Sequence, residues 1–161
     1  VESGNEEILR RSKKGITLKQ AEQSVRILKE GGIPTVSYFI LGHPYEIKST
    51  ILDTIRFAAK LNTDLVSFGI MVPYPGTEVW EMGRKGEAGY RIVAADWRDY
   101  NKQVGNALEF ANLSRREIER LQLWGYVYFF LANRRFLDFL RFMIKYRREG
   151  LSVVRKILFR K

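Results

Sequence analysis

The chain of 161 residues contains no cysteine. That excludes disulfides and any thiolate-bound metal held by these residues alone. It is compatible with a reducing cytosol, and a cytoplasmic setting is the expectation. There is one histidine, His43, so no cluster of imidazole ligands can form. Long apolar runs are also missing. The longest, around "GYVYFFLA" (Gly125 to Ala132), falls far short of the roughly 20 residues that span a bilayer. No signal peptide, internal repeat or low-complexity tract is visible. The chain opens at Val1 on "VESG", which raises the expectation of a piece of a longer protein. Acidic residues are scarce in the tail. From Arg134 to Lys161 ten Lys and Arg face only Asp138 and Glu149, a local balance of +8 out of a total of +10. An acidic partner would therefore meet the tail, not the body.

What is present reads as alternating helices and strands. "NEEILRRSKKG" (Asn5 to Gly15) has acids at its start, bases near its end and a closing glycine, as a short helix does. Thr17 caps a second helix, with Ala21, Val25 and Leu28 at helical spacing and Gly31–Gly32 as its stop. Thr35 to Leu41 and Leu65 to Ile70 read as strands. "STILDTIRFAAKLN" between them is an amphipathic helix with Ile51, Ile55 and Ala58 on one face. This alternation predicts adjacent parallel strands joined by a helical crossover. Beyond Gly83 the pattern loosens, with Trp97 and Tyr100 as expected anchors and "ALEFANL" as a short extended piece. Ser114 then caps a long helix with Ile118, Leu121 and Trp124 as its apolar stripe. Two basic amphipathic helices follow, near Phe136–Arg148 and Leu151–Phe159.

In parallel α/β sheets the functional loops lie at the carboxyl ends of the strands. "GHPYE" (Gly42 to Glu46) and "PYPGT" (Pro73 to Thr77) both fall there. Glycine and proline at such places can simply end strands, and that reading stays open.

Taken in order, "VESGNEEIL…KKGIT", "FILGHPYE" and "VPYPGT" resemble the second half of the radical S-adenosylmethionine (SAM) partial barrel, over about Val1 to Tyr100. Within that family the resemblance is to the class that often carries a cobalamin-binding domain, including relatives of the anaerobic magnesium-protoporphyrin ester cyclases. The resemblance implies an α/β fold: a truncated TIM-like barrel of parallel strands over 1–112, with a basic α-helical C-terminal extension over 113–161. It implies SAM and a [4Fe–4S] cluster as cofactors of a parent enzyme, with cobalamin as a further implication of the class. The cluster's cysteines would lie outside this chain.

By position, Glu2, Ser3 and Lys14 match the family's fourth-strand pattern, whose polar groups contact the ribose and the methionine carboxylate. Lys14 can equally be a solvated helix-end lysine. Ile40, Gly42 and Glu46 match the fifth-strand pattern. Tyr38 stands in place of its first glycine, and its phenol is the side chain available there for ribose. Gly42 would let the backbone approach adenine, and Glu46 could instead cap the following helix. Tyr45 replaces a glycine usual in relatives, and Ile47 a threonine. Val72, Pro73 and Tyr74 would stand beside the adenine, although Tyr74 also reads as a packed aromatic. His43 should point into the barrel mouth, either as a titrating group or as a loop residue. No catalytic residue and no metal ligand is assigned.

The implied partners are a small-molecule substrate, hydrophobic if the tail delivers it from a membrane, and no nucleic acid. Exposed strand edges raise the expectation of self-association. The alternative to an enzyme is a basic amphipathic module that binds an anionic membrane surface or a partner protein.

Overall fold

A computed structural model describes residues 1–102 and 107–147. The elements in order are α1 (Glu6–Arg11), α2 (Leu18–Glu30), β1 (Val36–Leu41), α3 (Lys48–Leu61), β2 (Leu65–Ile70), α4 (Glu78–Lys85), β3 (Arg91–Ile92), β4 (Leu108–Glu109), α5 (Arg115–Ala132) and α6 (Phe136–Lys145). β1 and β2 pair in parallel, with Val36 opposite Leu65 and Leu41 opposite Ile70. Glu2 adds a one-residue parallel bridge on the other side of β1, its N–H donating to the Tyr38 carbonyl and its carbonyl accepting from Ile40 N–H. β3 and β4 form a separate short antiparallel pair. The fold is mixed α/β with a parallel pair at its centre. The described residues do not close into a barrel.

The sheet has one covered face and one open face. Ser37, Phe39 and Leu41 alternate with Val36, Tyr38 and Ile40 along β1, and only the first set is fully buried. Period-two alternation makes this a choice of side, not of composition. Ile51, Ile55 and Ala58 of α3 pack on the covered face, as their helical spacing predicts. Burial of Ile51 and of Ile55 contributes roughly 1.5–3 kcal/mol each. The open face carries Tyr38, 58% exposed.

α5 is seated by Gly125. A Cβ there would lie 3.1 Å from the Phe68 ring and 3.3 Å from Ile55, so a larger residue would have to displace these side chains by a few tenths of an ångström. The expected stripe through Trp124 is therefore corrected. Ile118 and Leu121 are buried, but Trp124 is half-exposed, and the packed face continues through Gly125 to Phe129 and Phe130. The core runs unbroken across residue 112, since Leu113, Ile118, Phe129 and Phe130 share one cluster with α3 and β2. α5 also covers the free edge of β2. Tyr126 Oη accepts from Phe68 N–H at 3.1 Å, and Gln122 Nε2 donates to the Phe68 carbonyl at 2.7 Å. The Lys102 carbonyl accepts from Ile70 N–H. Of the edges from which strand pairing was expected, that of β1 carries only the one-residue Glu2 bridge.

Other expectations shift. Leu28 of α2 is exposed and only Ala21 is buried there, because α2 meets the body along a narrow line. Trp97 lies exposed instead of anchoring, tilted against Tyr100 at 4.9 Å between ring centres. The helix expected near Leu151–Phe159 lies outside the described residues.

Candidate functional site at the carboxyl end of the parallel strands

The amino-terminal stub is pinned by hydroxyls. Ser3 Oγ lies 3.1 Å from Thr54 Oγ1, and Gly4 N–H donates to the same Thr54 oxygen at 2.9 Å. A Cβ on Gly4 would stand 2.5 Å from Phe57 Cβ and 2.6 Å from Thr54 Cα, so the stub touches α3 only because Gly4 has none. Asn5 then caps α1 by accepting from Glu7 and Ile8 N–H, and its amide donates to Asp53. This order places Glu2 beside β1 and brings Lys14 back over it after α1.

The Glu2 carboxylate and the Lys14 ammonium pair at 2.6 Å, each about a third exposed. Ser3 is not brought to them. Its hydroxyl is fully buried against α3, on the covered side of the sheet. Tyr38 and Ile40 sit on the open face of β1, flanking the Phe39 position that Glu2 bridges.

The turn after β1 is held from three directions. Glu46 Oε2 accepts from Gly42 N–H at 2.6 Å and from His43 N–H at 3.0 Å. Tyr90 Oη donates to the Gly42 carbonyl at 2.6 Å. Phe110 fills the space where a Cβ of Gly42 would stand, and Gly42 has φ +89°. The missing side chain of Gly42 thus admits Phe110. Glu46 is not the cap of α3. Ile47 takes the cap position, and Thr50 Oγ1 accepts from its N–H. The Glu46 carboxylate turns backward to the loop instead.

Burial raises the pKa of Glu46 to about 7 against the two N–H bonds that oppose it. Burial also lifts the Tyr90 phenol, and lowers His43, while the charge and backbone of Glu2 pull His43 the other way. His43 is 4% exposed and lies against Glu2, so it is enclosed and does not project freely into a mouth. Its Nε2 and Glu46 Oε1 have no hydrogen-bond partner. A cavity of about 10 Å³, room for one water at most, is lined by both residues with Tyr90 and Phe110.

At the end of β2, Val72 and Pro73 are buried and Tyr74 is half-exposed, stacked on Tyr100 at 6.2 Å. Tyr45 has φ +65°, a conformation that glycine adopts without strain, and Arg11 lies over its ring at 4.8 Å.

Sequence reasoning missed Thr54, Gly4, Tyr90 and Phe110. Thr54 gave a signal, because a hydroxyl on the buried stripe of Ile51, Ile55 and Ala58 needs a partner. Tyr90 and Phe110 gave none, since each reaches the turn across a long stretch of chain.

Residues 1–58 match the Radical SAM superfamily model. An uncharacterized methyltransferase of Pyrococcus horikoshii is 32% identical over 134 residues, 83% of this chain and 28% of that protein. The anaerobic magnesium-protoporphyrin IX monomethyl ester cyclase of Rubrivivax gelatinosus is 27% identical over 78% of this chain and 21% of its own length. The enzyme of that name from Cereibacter sphaeroides is 28% identical over 55% of this chain and 14% of its own. The chain thus spans less than a third of the length of each of these relatives. The family match over the stub, β1 and α3, and the agreement of these relatives, make the chain a relative of the radical SAM enzymes.

Proposed function

We propose that the chain supplies the ribose and adenine wall of a SAM site, with part of a substrate chamber, in a radical SAM enzyme whose remaining strands lie in a longer parent. The observation that carries this reading is the Glu2–Lys14 pair at the carboxyl-end turn of β1, inside the segment that matches the family. SAM fits these residues. Its ribose hydroxyls can donate to the Glu2 carboxylate, and its own carboxylate can pair with Lys14. A part-exposed ion pair costs little to open, about 1 kcal/mol or less, so both groups are available to a ligand.

The remaining residues position the site. Glu46, Tyr90 and Phe110 hold the Gly42 turn in place, and Val72, Pro73 and Tyr74 form the neighbouring strand tip. The open face of β1 and β2, with Tyr38 and Ile40, lines the chamber. SAM held by Glu2 and Lys14, with an electron from a reduced iron–sulfur cluster in the parent, would supply the radical chemistry of the family. This chain has no cysteine to hold such a cluster, so in this reading the cluster's ligands belong to the rest of the parent. A cobalamin domain in the parent is carried by the resemblance alone. Methyl transfer and ring formation, the activities in the relatives' names, are both compatible with this wall.

The test is SAM affinity in the cluster-bearing parent, measured by equilibrium dialysis. Lys14→Ala is expected to weaken binding roughly tenfold or more. Lys13→Ala, which loses only a surface pair with Glu78, is expected to leave it unchanged. Equal affinity of Lys14→Ala and the unsubstituted protein overturns the assignment.

The alternative of a basic amphipathic module does not compete for the same residues. It rests on α6.

A further inference from the structure

α6 is apolar on two sides. Phe139 and Phe142 pack inward on Phe130, and Phe142 also stacks on Tyr126 at 5.3 Å. Phe136, Leu137, Leu140, Met143 and Ile144 face outward and are exposed, Leu137 at 71% and Leu140 at 57%. Their spacing puts all five on one continuous side of the helix. A contiguous exposed apolar face beside a charged one marks an interaction surface, so this face calls for an occupant.

We propose that the outward face of α6 docks on an anionic membrane surface, with the helix lying in the plane of the interface. Charge selects this occupant. Between Arg134 and Arg147 the only acid is Asp138, and Arg135 and Arg141 both pair with it, at 2.9 and 3.4 Å. Lys145 and Arg147 add further positive charge beside the apolar face. Apolar side chains flanked by Lys and Arg, with the one acid neutralised, suit an interface of acyl chains beneath anionic headgroups. A second copy of this chain fits less well. A two-fold contact would set two basic helices against each other in a protein already at +10. Spanning is excluded for the described helices, none of which is long and apolar enough to cross a membrane.

The start of the helix is fixed to the body by Arg135. Arg135 donates to the Thr63 and Asp64 carbonyls, both at 2.8 Å, and lies over the Phe129 and Phe130 rings. That anchor is at the amino end of β2, the opposite strand end from Glu2–Lys14. Docking through α6 therefore leaves the candidate SAM wall free.

The experiment is co-sedimentation of the full chain with phosphatidylcholine vesicles, either neutral or containing roughly one-third phosphatidylglycerol. Binding to the anionic vesicles is expected, weakening as salt rises. The triple variant Leu137→Gln, Leu140→Gln, Ile144→Gln is expected to lose about tenfold or more in partitioning. The pair Lys145→Gln, Arg147→Gln is expected to lose roughly fivefold or more on anionic vesicles and little on neutral ones. All five side chains lie on exposed positions, so an unchanged thermal midpoint checks that the variants fold. Failure of the unsubstituted chain to bind, or equal binding by the triple variant, overturns the proposal. So does a concentration-dependent dimer that the triple variant abolishes in the absence of vesicle binding, which would assign the face to self-association. None of these outcomes depends on SAM.

Discussion

The buried carboxyl of Glu46 makes the stability of this protein depend on pH in an unusual direction. Most carboxylates are held ionised by the fold and stabilise it as pH rises. Glu46 is the reverse, because burial raises its pKa from 4.5 in the unfolded chain to about 7. Between those values the folded state holds the proton more tightly than the unfolded state. Stability from this group is fully present below pH ~4.5 and is lost as pH rises through ~7. The difference of 2.5 units corresponds to about 3 kcal/mol. His43 works in the opposite sense over part of the range, since its lowered pKa makes it cost stability as pH falls below its unfolded value of 6.5. A single pH profile mixes the two, so the difference between two proteins is the useful quantity. Glu46→Gln keeps a carbonyl for the Gly42 and His43 N–H groups and cannot ionise. Urea unfolding of both proteins, followed by tryptophan fluorescence from about pH 4 to 8, gives that difference. Glu46→Gln is expected to gain on the unsubstituted protein steadily across the window, reaching about 3 kcal/mol relative to its low-pH value. A flat difference, or a variant that falls behind as pH rises, refutes the reasoning. It would mean that the two N–H bonds outweigh burial and hold Glu46 ionised.

Three further outcomes test the supports of the site. Thr54→Val removes the oxygen shared by Gly4 N–H and Ser3 Oγ and is expected to cost about 1–3 kcal/mol in thermal or urea unfolding, with Thr54→Ser restoring most of it. Gly42→Ala meets both a positive φ and the Phe110 ring and is expected to lose roughly 2 kcal/mol or more, part of which Phe110→Ala in the same chain recovers. Gln122→Leu with Tyr126→Phe strips the Phe68 backbone of both partners. Sedimentation should show new self-association through the uncovered β2 edge, alongside a loss of about 2 kcal/mol or more.

The parts of the fold that were legible are those set by local periodicity. The strands Val36–Leu41 and Leu65–Ile70 and the α3 stripe of Ile51, Ile55 and Ala58 follow from spacing alone. Local pattern fails where a second element decides the outcome. Trp124 has far more apolar surface to bury than Gly125, yet Gly125 faces the sheet, where a Cβ would crowd Phe68 and Ile55. The two apolar strands also gave no sign that one face would be left open. Alternation reveals a covered face only when the other face is polar, and Val36, Tyr38, Ile40 and Leu65 are not.

The candidate site divides along the same line. The pairing of Glu2 with Lys14 was accessible from the family resemblance, which placed both near one ligand. Ser3 shows the limit of carrying a motif over by position. Its hydroxyl is adjacent in sequence to Glu2 but is turned onto α3, on the covered side of the sheet, after the positive φ of Glu2. Any ligand that Glu2 reaches is therefore on the side Ser3 cannot reach while that geometry holds. Ser3 then acts through Thr54 and Gly4, fixing how far the stub stands from α3 and hence where Glu2 meets β1. By that logic Thr54 has as much claim to the position of the Glu2 carboxylate as any residue in the matched motif. Its distance from Glu2 in the chain is what hides it from a reading of the sequence.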